Sequence, residues 1–241
     1  MQGFARRYGS RYSKTKRELY AFFEIGCFLS LVNLYENRGC IITLQNLLKS
    51  GEYRYLTTPN GNPANFSYIS LETGEYTYEL RQQVRIVSHI NSDIAFTPDI
   101  LVIKGGSQLI GKKDEDYAGG KRQFFYVKSS DVIAAHECKS YAPFPELLIS
   151  FLGALWAGHF WFSSSDCFKH ISEEALHPAP TLFVGGEARI FQLKMIRAME
   201  KEFPLNIVVG MHSGVVPLEE KINVYIDPYA DGTRIKPTID F

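Results

Sequence analysis

The pattern of apolar and polar positions predicts a helix near the start of the chain and strands after it. Residues 18–36 are apolar on most faces of a helix, which predicts a helix that is largely buried. Residues 76–87 alternate between apolar and polar side chains, as a strand with one buried face does. Between them, residues 41–48 are predicted as a second, short helix, and the Gly-, Pro- and Asn-rich residues 50–75 as loop or short hairpin.

Shorter apolar runs predict alternating strands and helices in the rest of the chain. We expect strands at 95–104, 124–127 with 131–139, 181–184, 205–209 and 221–226. Prolines open a helix at 146–162, and a further helix is expected at 187–202. The polar, glycine-bearing residues 105–122 predict a mobile surface loop inserted between two strands. This order indicates an α/β fold, a sandwich in which helices flank a central mixed β-sheet.

The composition describes one globular domain and leaves the choice of partner open. The 241 residues are 45% hydrophobic and 22% charged, a balance that supports a full core. Basic and acidic side chains number 26 each, so any surface that binds nucleic acid must be local. The arginine-rich first residues lack the apolar core of a secretory signal, and the four cysteines form no Cys-x-x-Cys pair. We therefore expect a cytoplasmic protein with reduced cysteines, no structural zinc and no membrane partner.

Two strand-like runs each carry a carboxylate where a buried strand normally has none. Asp99 follows a Thr-Pro turn and enters an apolar run, and Glu137 lies near the end of another. Because side chains two residues apart on a strand face the same side, Glu137 and Lys139 should point together, with Cys138 toward the core. Ionised carboxylates are rarely buried unless they are paired or bound to metal. These positions therefore predict a site for a hard cation.

The predicted cation site has the groups needed to hydrolyse a phosphodiester. If Asp99 lies beside Glu137 on the adjacent strand, both can bind Mg²⁺ through oxygen, with the Cys138 carbonyl as a further ligand. Mn²⁺ can substitute for Mg²⁺ in such an oxygen site. Lys139 would orient or help to deprotonate the attacking water and offset negative charge on the phosphate.

This arrangement resembles the PD-(D/E)xK nuclease superfamily. Its Pro-Asp element is here Pro98-Asp99, and its Glu-x-Lys element is Glu137-Cys138-Lys139. The order of elements is also similar, over residues 18–210. The resemblance implies a restriction-endonuclease-like fold and a metal-dependent DNA endonuclease in restriction or phage defence. It also implies a homodimer, because cleavage of both strands needs two sites.

In that superfamily a carboxylate of the first helix often joins the metal site. Glu24 is the preferred candidate because it lies in the most apolar part of the predicted helix. The alternative for Glu24 is an ion pair with a basic neighbour at the helix edge. Glu79 is a second candidate, for which we favour the alternative of an ion pair with Arg81 or Arg85 on a solvated strand face.

Two basic segments fit either contact with DNA or an ordinary surface. The N-terminal arm, residues 1–17, holds six basic residues with tyrosines between them, which suits phosphate neutralisation and base stacking as well as a loosely packed tail. The insertion carries basic residues among acidic ones: Lys112, Lys113, Lys121 and Arg122. Two other functions stay open, a non-catalytic nucleic-acid-binding or assembly subunit and a nuclease switched on by an activating partner or signalling nucleotide.

Overall fold

Three α-helices lie within the part of the chain that the computed structural model describes, residues 18–58, 61–113, 123–162, 167–212 and 217–230. They are α1 (Glu18–Asn37), α2 (Pro145–Gly158) and α3 (Ile190–Glu202). The predicted first helix is confirmed, whereas α2 ends earlier and α3 begins later than the apolar pattern predicts. None of these helices has the length and apolar character that crossing a membrane requires.

The strands form one large sheet and two small ones. In chain order they are β1 (Ile41–Gln45), β2 (Tyr68–Glu72), β3 (Thr77–Gln82), β4 (Arg85–Val87), β5 (Ala95–Phe96), β6 (Ile100–Lys104), β7 (Ile110–Lys113), β8 (Gln123–Lys128), β9 (Val132–Lys139), β10 (His177–Pro178), β11 (Thr181–Val184), β12 (Asn206–Val208) and β13 (Tyr225–Ile226). The seven-stranded sheet has the order β1-β2-β3-β6-β9-β11-β12. A four-stranded sheet has the order β5-β4-β8-β7, and β10 pairs with β13.

The large sheet changes from antiparallel to parallel pairing at β9. Strands β1, β2, β3, β6 and β9 pair antiparallel in that order, and β9, β11 and β12 pair parallel. Because β6 and β9 are antiparallel, the start of one lies beside the end of the other, with Ile100 opposite His136. Asp99 directly precedes β6, so this register brings it next to the Glu137 end of β9. The predicted α/β class with a central mixed sheet is confirmed.

Helices and a second sheet cover the two faces of the large sheet. Along β11, Phe183 belongs to the core cluster under α1, while its neighbours Leu182 and Val184 belong to the cluster under α2 and α3. This alternation places α1 on one face and α2 with α3 on the other. Near β6, Leu101 on the second face packs into a third cluster with the four-stranded sheet. The site-bearing strands β6 and β9 are therefore buried in the middle of the sandwich.

The predicted strand at 76–87 is wrong as a single strand, because the chain bends at Gln83. Gln83 has a φ of 52°, in the left-handed region, and it separates β3 from β4. These two strands belong to different sheets. A similar break divides the predicted strand at 95–104 into β5 and β6, at the Thr-Pro turn.

Two predictions for the connecting segments are also corrected. Residues 41–45 form strand β1 and not a helix, because they pair along their whole length with β2. Part of the insertion at 105–122 is the strand β7, which pairs antiparallel with β8 and so forms a hairpin rather than a plain loop. Residues 114–122 of the insertion and the basic arm, 1–17, lie outside the described residues.

Candidate active site

The end of β9 and the turn before β6 bring Asp99, Glu137 and Lys139 together. The ammonium nitrogen of Lys139 donates to Glu137 Oε1, and it lies 3.4 Å from Asp99 Oδ2. The backbone N–H of Cys138 donates to the same Asp99 oxygen at 2.7 Å, which fixes the carboxylate against the edge of the strand. Glu137 and Lys139 therefore lie on one side of β9, and both face Asp99.

Glu24 joins this group from α1 through the side-chain amide of Gln83. The Gln83 Nε2 atom donates to Glu24 Oε1 at 2.6 Å and to Asp99 Oδ1 at 2.9 Å. The backbone N–H of Gln83 also donates to the carbonyl of Asp99 at 3.1 Å. Glu24 is 7% exposed, so its carboxylate is buried inside the sandwich rather than paired at a solvated helix edge. The helix carboxylate is thus connected to Asp99 by one amide group.

The alternation of apolar and polar side chains along β3 does not identify Gln83 as a member of this group. In a regular strand Gln82 and Gln83 would point to opposite faces, and both side chains are in fact buried. The bend at Gln83 turns its amide toward Glu24 and Asp99. The available sequence signal is a pair of glutamines at the end of a strand, where an uncharged buried amide needs hydrogen-bonding partners.

The second glutamate candidate, Glu79, lies away from the group. Its carboxylate accepts from Arg81 Nε at 2.6 Å and from the Gly106 backbone N–H at 3.2 Å. On the sheet Glu79 is opposite Ile103, toward the far end of β6 from Asp99. The predicted pair with Arg81 is confirmed, but the solvated face is wrong, because the two side chains are only 9% and 10% exposed.

The electrostatics of the group reflect three nearby carboxylates and one ammonium, that of Lys139. Burial, and then repulsion from Asp99, raise the pKa of Glu24 from 4.5 to about 8, although Gln83 and Lys139 act in the opposite direction. The same two causes raise the pKa of Glu137 to about 7 against the attraction of Lys139. Burial alone would lower the pKa of Lys139, but the carboxylates of Asp99 and Glu137 raise it above its usual value. The fully ionised group would carry two uncompensated negative charges.

The donor set fits a hard divalent cation, although other groups now bridge the carboxylates. Within the described ranges, no three His, Cys, Asp or Glu side chains are placed to bind a metal ion directly. Gln83 bridges Glu24 and Asp99, and Lys139 bridges Asp99 and Glu137. Oxygen ligands and surplus negative charge favour Mg²⁺ or Mn²⁺. Asp99 and Glu137 would hold such an ion once the Lys139 ammonium moves aside.

Comparisons with protein-family models, with curated proteins and with solved structures find no match to this chain. The class to which the site belongs therefore rests on its residues and on the sheet that positions them.

Removing the side-chain amide of Gln83 should destabilise the protein, whereas removing that of Gln82 should not. Gln83→Met keeps the length of the side chain but deprives Glu24 and Asp99 of a donor, so we expect a loss of about 1–3 kcal/mol in the free energy of unfolding. Gln82→Met is the matched control. Both polar atoms of the Gln82 side chain are buried without a partner among the described residues, so this change should be neutral or stabilising. Urea denaturation measures both, and equal losses would contradict the bridging role.

The stability of the metal-free protein should fall as the pH rises from 6 to 8.5. The folded-state pKa values of Glu24 and Glu137 lie above the unfolded value of 4.5, so the folded protein binds more protons than the unfolded chain in this range. Their contribution is fully present below pH 4.5 and is lost as the pH passes through 7 and 8. Melting temperatures in EDTA measure the decline, and Glu24→Gln should flatten it. A decline of the same slope in Glu24→Gln would show that other groups cause it.

Proposed function

We propose that this protein is a metal-dependent endonuclease that hydrolyses DNA phosphodiester bonds, with a restriction-endonuclease-like fold. The observation that carries the proposal is the contact of Lys139 with Asp99 and Glu137, with Glu24 joined to Asp99 through Gln83, at the strand where the sheet changes from antiparallel to parallel pairing. Its motif resembles that of the PD-(D/E)xK nucleases in residue types and in order along the chain. The same resemblance supports a role in restriction or phage defence and a homodimeric assembly.

The charge of the site supports this proposal over a purely structural ion pair. A structural pair would match one carboxylate with one cation, whereas here two carboxylates contact a single ammonium and a third lies one amide away. Such an arrangement raises the pKa of Glu24 and Glu137 and costs stability, which proteins tolerate most often at functional sites. An ion with two positive charges, bound at Asp99 and Glu137, would compensate the excess.

The residues of the site have distinct tasks in the proposed reaction. A bound Mg²⁺ ion would supply Lewis-acid stabilisation of the phosphoryl oxygens and a more acidic water. The Cys138 N–H and the Gln83 amide hold the Asp99 carboxylate in place, so that its Oδ2 atom faces Lys139. Glu137 is 27% exposed, so a metal ion that it shared with Asp99 would be open to water and to the phosphate. Lys139 stays positively charged and can stabilise the negative charge that develops on the pentacoordinate phosphate in the transition state.

Cleavage of supercoiled plasmid tests the proposal. The wild-type protein should convert plasmid to nicked and linear forms with Mg²⁺ or Mn²⁺ and not with EDTA. Glu137→Gln should reduce the rate by at least about a hundredfold, because it removes a charged ligand of the metal ion. The matched control is Glu202→Gln, at an exposed position at the end of α3. No cleavage by the wild type with either metal, or full activity in Glu137→Gln, would overturn the proposal.

A further inference from the structure

Two exposed aromatic side chains follow β9 directly after the candidate active site. Tyr141 and Phe144 are 43% and 41% exposed, and their rings stack with 5.9 Å between centroids and 27° between planes. Tyr141 is two residues beyond Lys139 in the chain, so the Cα atoms of these two residues are at most about 7 Å apart. The stacked pair, Tyr141 and Phe144, therefore borders the carboxylate group.

The backbone of this segment is held in place by the residues that follow β11. The N–H groups of Gly185 and Gly186 donate to the carbonyls of Lys139 and Tyr141 at 2.8 and 3.2 Å. A side chain at Gly186 would come within 2.7 Å of the backbone nitrogen of Ala142, so only glycine allows this close approach. The position of Tyr141 relative to Lys139 is therefore fixed by the backbone.

Two prolines restrict the backbone around Phe144. Pro143 precedes it, and Pro145 follows it as the first residue of α2. The proline ring fixes φ, so the chain has few alternative conformations on either side of Phe144. A surface that is ordered before its ligand arrives loses less conformational entropy when the ligand binds. The stacked pair is thus a preformed binding surface rather than part of a loose loop.

A histidine connects this segment to the helix that carries Glu24. The Nε2 atom of His212 pairs with the carbonyl of Ser140 at 2.7 Å. The His212 ring also packs edge-on against Phe23 of α1, with 5.0 Å between centroids. Phe23 directly precedes Glu24 in the chain. The segment that bears the stacked pair is therefore joined to both sides of the candidate active site, to β9 and to α1.

An unpaired nucleobase suits both the stacked pair and its position. An aromatic ring can stack on a base only where a face of that base is open, and in a duplex the neighbouring base pairs cover both faces. In the proposed reaction the scissile phosphate lies against Lys139 and the metal ion. The nearest bases of the same strand then lie close to the stacked pair, which can hold them only if they are unpaired.

We propose that Tyr141 and Phe144 stack on unpaired bases beside the scissile phosphate, so that the substrate is a DNA strand with unpaired bases at the site of cleavage. This inference rests on the proposed nuclease function and names the substrate class of the same site. Stacking does not read the edges of the bases, so the preference concerns unpaired structure rather than sequence. Supercoiled plasmid offers such segments, because negative supercoiling favours local separation of the strands.

Fluorescence anisotropy of the full chain with labelled DNA tests this inference. The probes are a single strand of about 16 nucleotides, the blunt duplex of the same sequence, and a strand of equal length made of abasic sites. Binding is measured in Ca²⁺, which takes oxygen ligands as Mg²⁺ does. We expect the single strand to bind at least about tenfold more tightly than the duplex and the abasic strand. Equal or tighter binding of the duplex would overturn the proposal.

Substitutions of the stacked pair locate the contact. Tyr141→Ala should weaken the single strand about tenfold and leave the abasic strand unchanged, whereas Tyr141→Phe keeps the ring and should bind as the wild type does. Phe168→Ala is the matched control, because Phe168 is 49% exposed and lies in the turn before β10, near the start of β11 rather than its end. Affinity of Tyr141→Ala for the single strand within about twofold of the wild type would refute the stacking role.

Sedimentation velocity separates this role from an interface between two copies of the chain. Tyr141→Ala should sediment with the same mass as the wild type, because the rings contact DNA and not a second copy. A change from dimer to monomer in this variant would assign the stacked pair to the dimer interface and overturn the inference.

The same variants distinguish failure of this inference from failure of the nuclease proposal. Plasmid cleavage with Mg²⁺ in the absence of any effect of Tyr141→Ala on binding would overturn the inference alone. Binding of the single strand that depends on Tyr141, without cleavage by the wild type, would overturn the nuclease proposal and support a surface that stacks on unpaired bases.

Discussion

Replacing Asp99 with Asn should abolish metal-dependent DNA cleavage while the protein stays folded. Asn has the same shape and can still accept from Cys138 N–H, but it lacks the negative charge that a metal ion and Lys139 require. We expect the cleavage rate to fall by at least about a thousandfold, since the loss affects both metal binding and charge stabilisation. Initial rates on supercoiled plasmid, at saturating Mg²⁺, measure this effect.

The stability of the same variant provides an independent check on the electrostatics. Asp99 raises the pKa of both Glu24 and Glu137, so its neutralisation should bring both values down and make the stability of the metal-free protein depend less on pH between 6 and 8.5, while the amide loses the hydrogen bond from Gln83. Asp93→Asn, in an exposed turn, is the matched control for both measurements and should behave as the wild type. Activity within tenfold of the wild type in Asp99→Asn would remove Asp99 from the proposed mechanism.

Lys139→Met should destabilise the protein strongly at high pH and only slightly at low pH. Without the ammonium, Asp99 and Glu137 face each other with no cation between them, and we expect a loss of about 2 kcal/mol in the free energy of unfolding at pH 8. The partial exposure of the lysine keeps this value below that of a fully buried pair. Glu137 has a raised pKa and takes up a proton as the pH falls, so the loss should shrink by pH 6.

Urea denaturation at the two pH values, with and without Mg²⁺, measures this dependence. Mg²⁺ should restore part of the stability of Lys139→Met at pH 8, because the ion can take the place of the ammonium between the carboxylates. Lys194→Met, on the exposed side of α3, controls for the loss of a lysine and should change little at either pH. A loss of the same size at pH 6 and pH 8 would show that Lys139 contributes through packing alone.

The positions of the charged site residues could be predicted from their apolar surroundings. Asp99 and Glu137 stand out because each interrupts a run that must be buried, and antiparallel pairing of β6 with β9 then brings them together. Glu24 stands out for the same reason within α1, and the structure places it one amide away from Asp99. A carboxylate in an apolar segment is thus a strong signal even when the elements that carry it are far apart in the chain.

The features that could not be predicted depend on backbone conformation and on distant pairing. Nothing in the sequence reveals that Gln83 adopts a positive φ, because glutamine has no preference for that region. The apolar run in β1 is too short to distinguish a strand from a helix by its period. The second sheet depends on the parallel pairing of Arg85 with Tyr126, a contact between segments that show no common local pattern.

At Gln83 the backbone conformation and the contacts of the side chain favour different residue types. A left-handed backbone costs about 1–2 kcal/mol for most residues, and glycine or asparagine would relieve part of it. Glycine has no amide to offer, and asparagine is one methylene shorter, so neither matches the contacts with both Glu24 and Asp99. The chain therefore retains a strained residue at the point where two sheets separate. The strain and the two hydrogen bonds are of similar size, so any other residue here would exchange one for the other, and losing the bonds would remove the connection between α1 and β6.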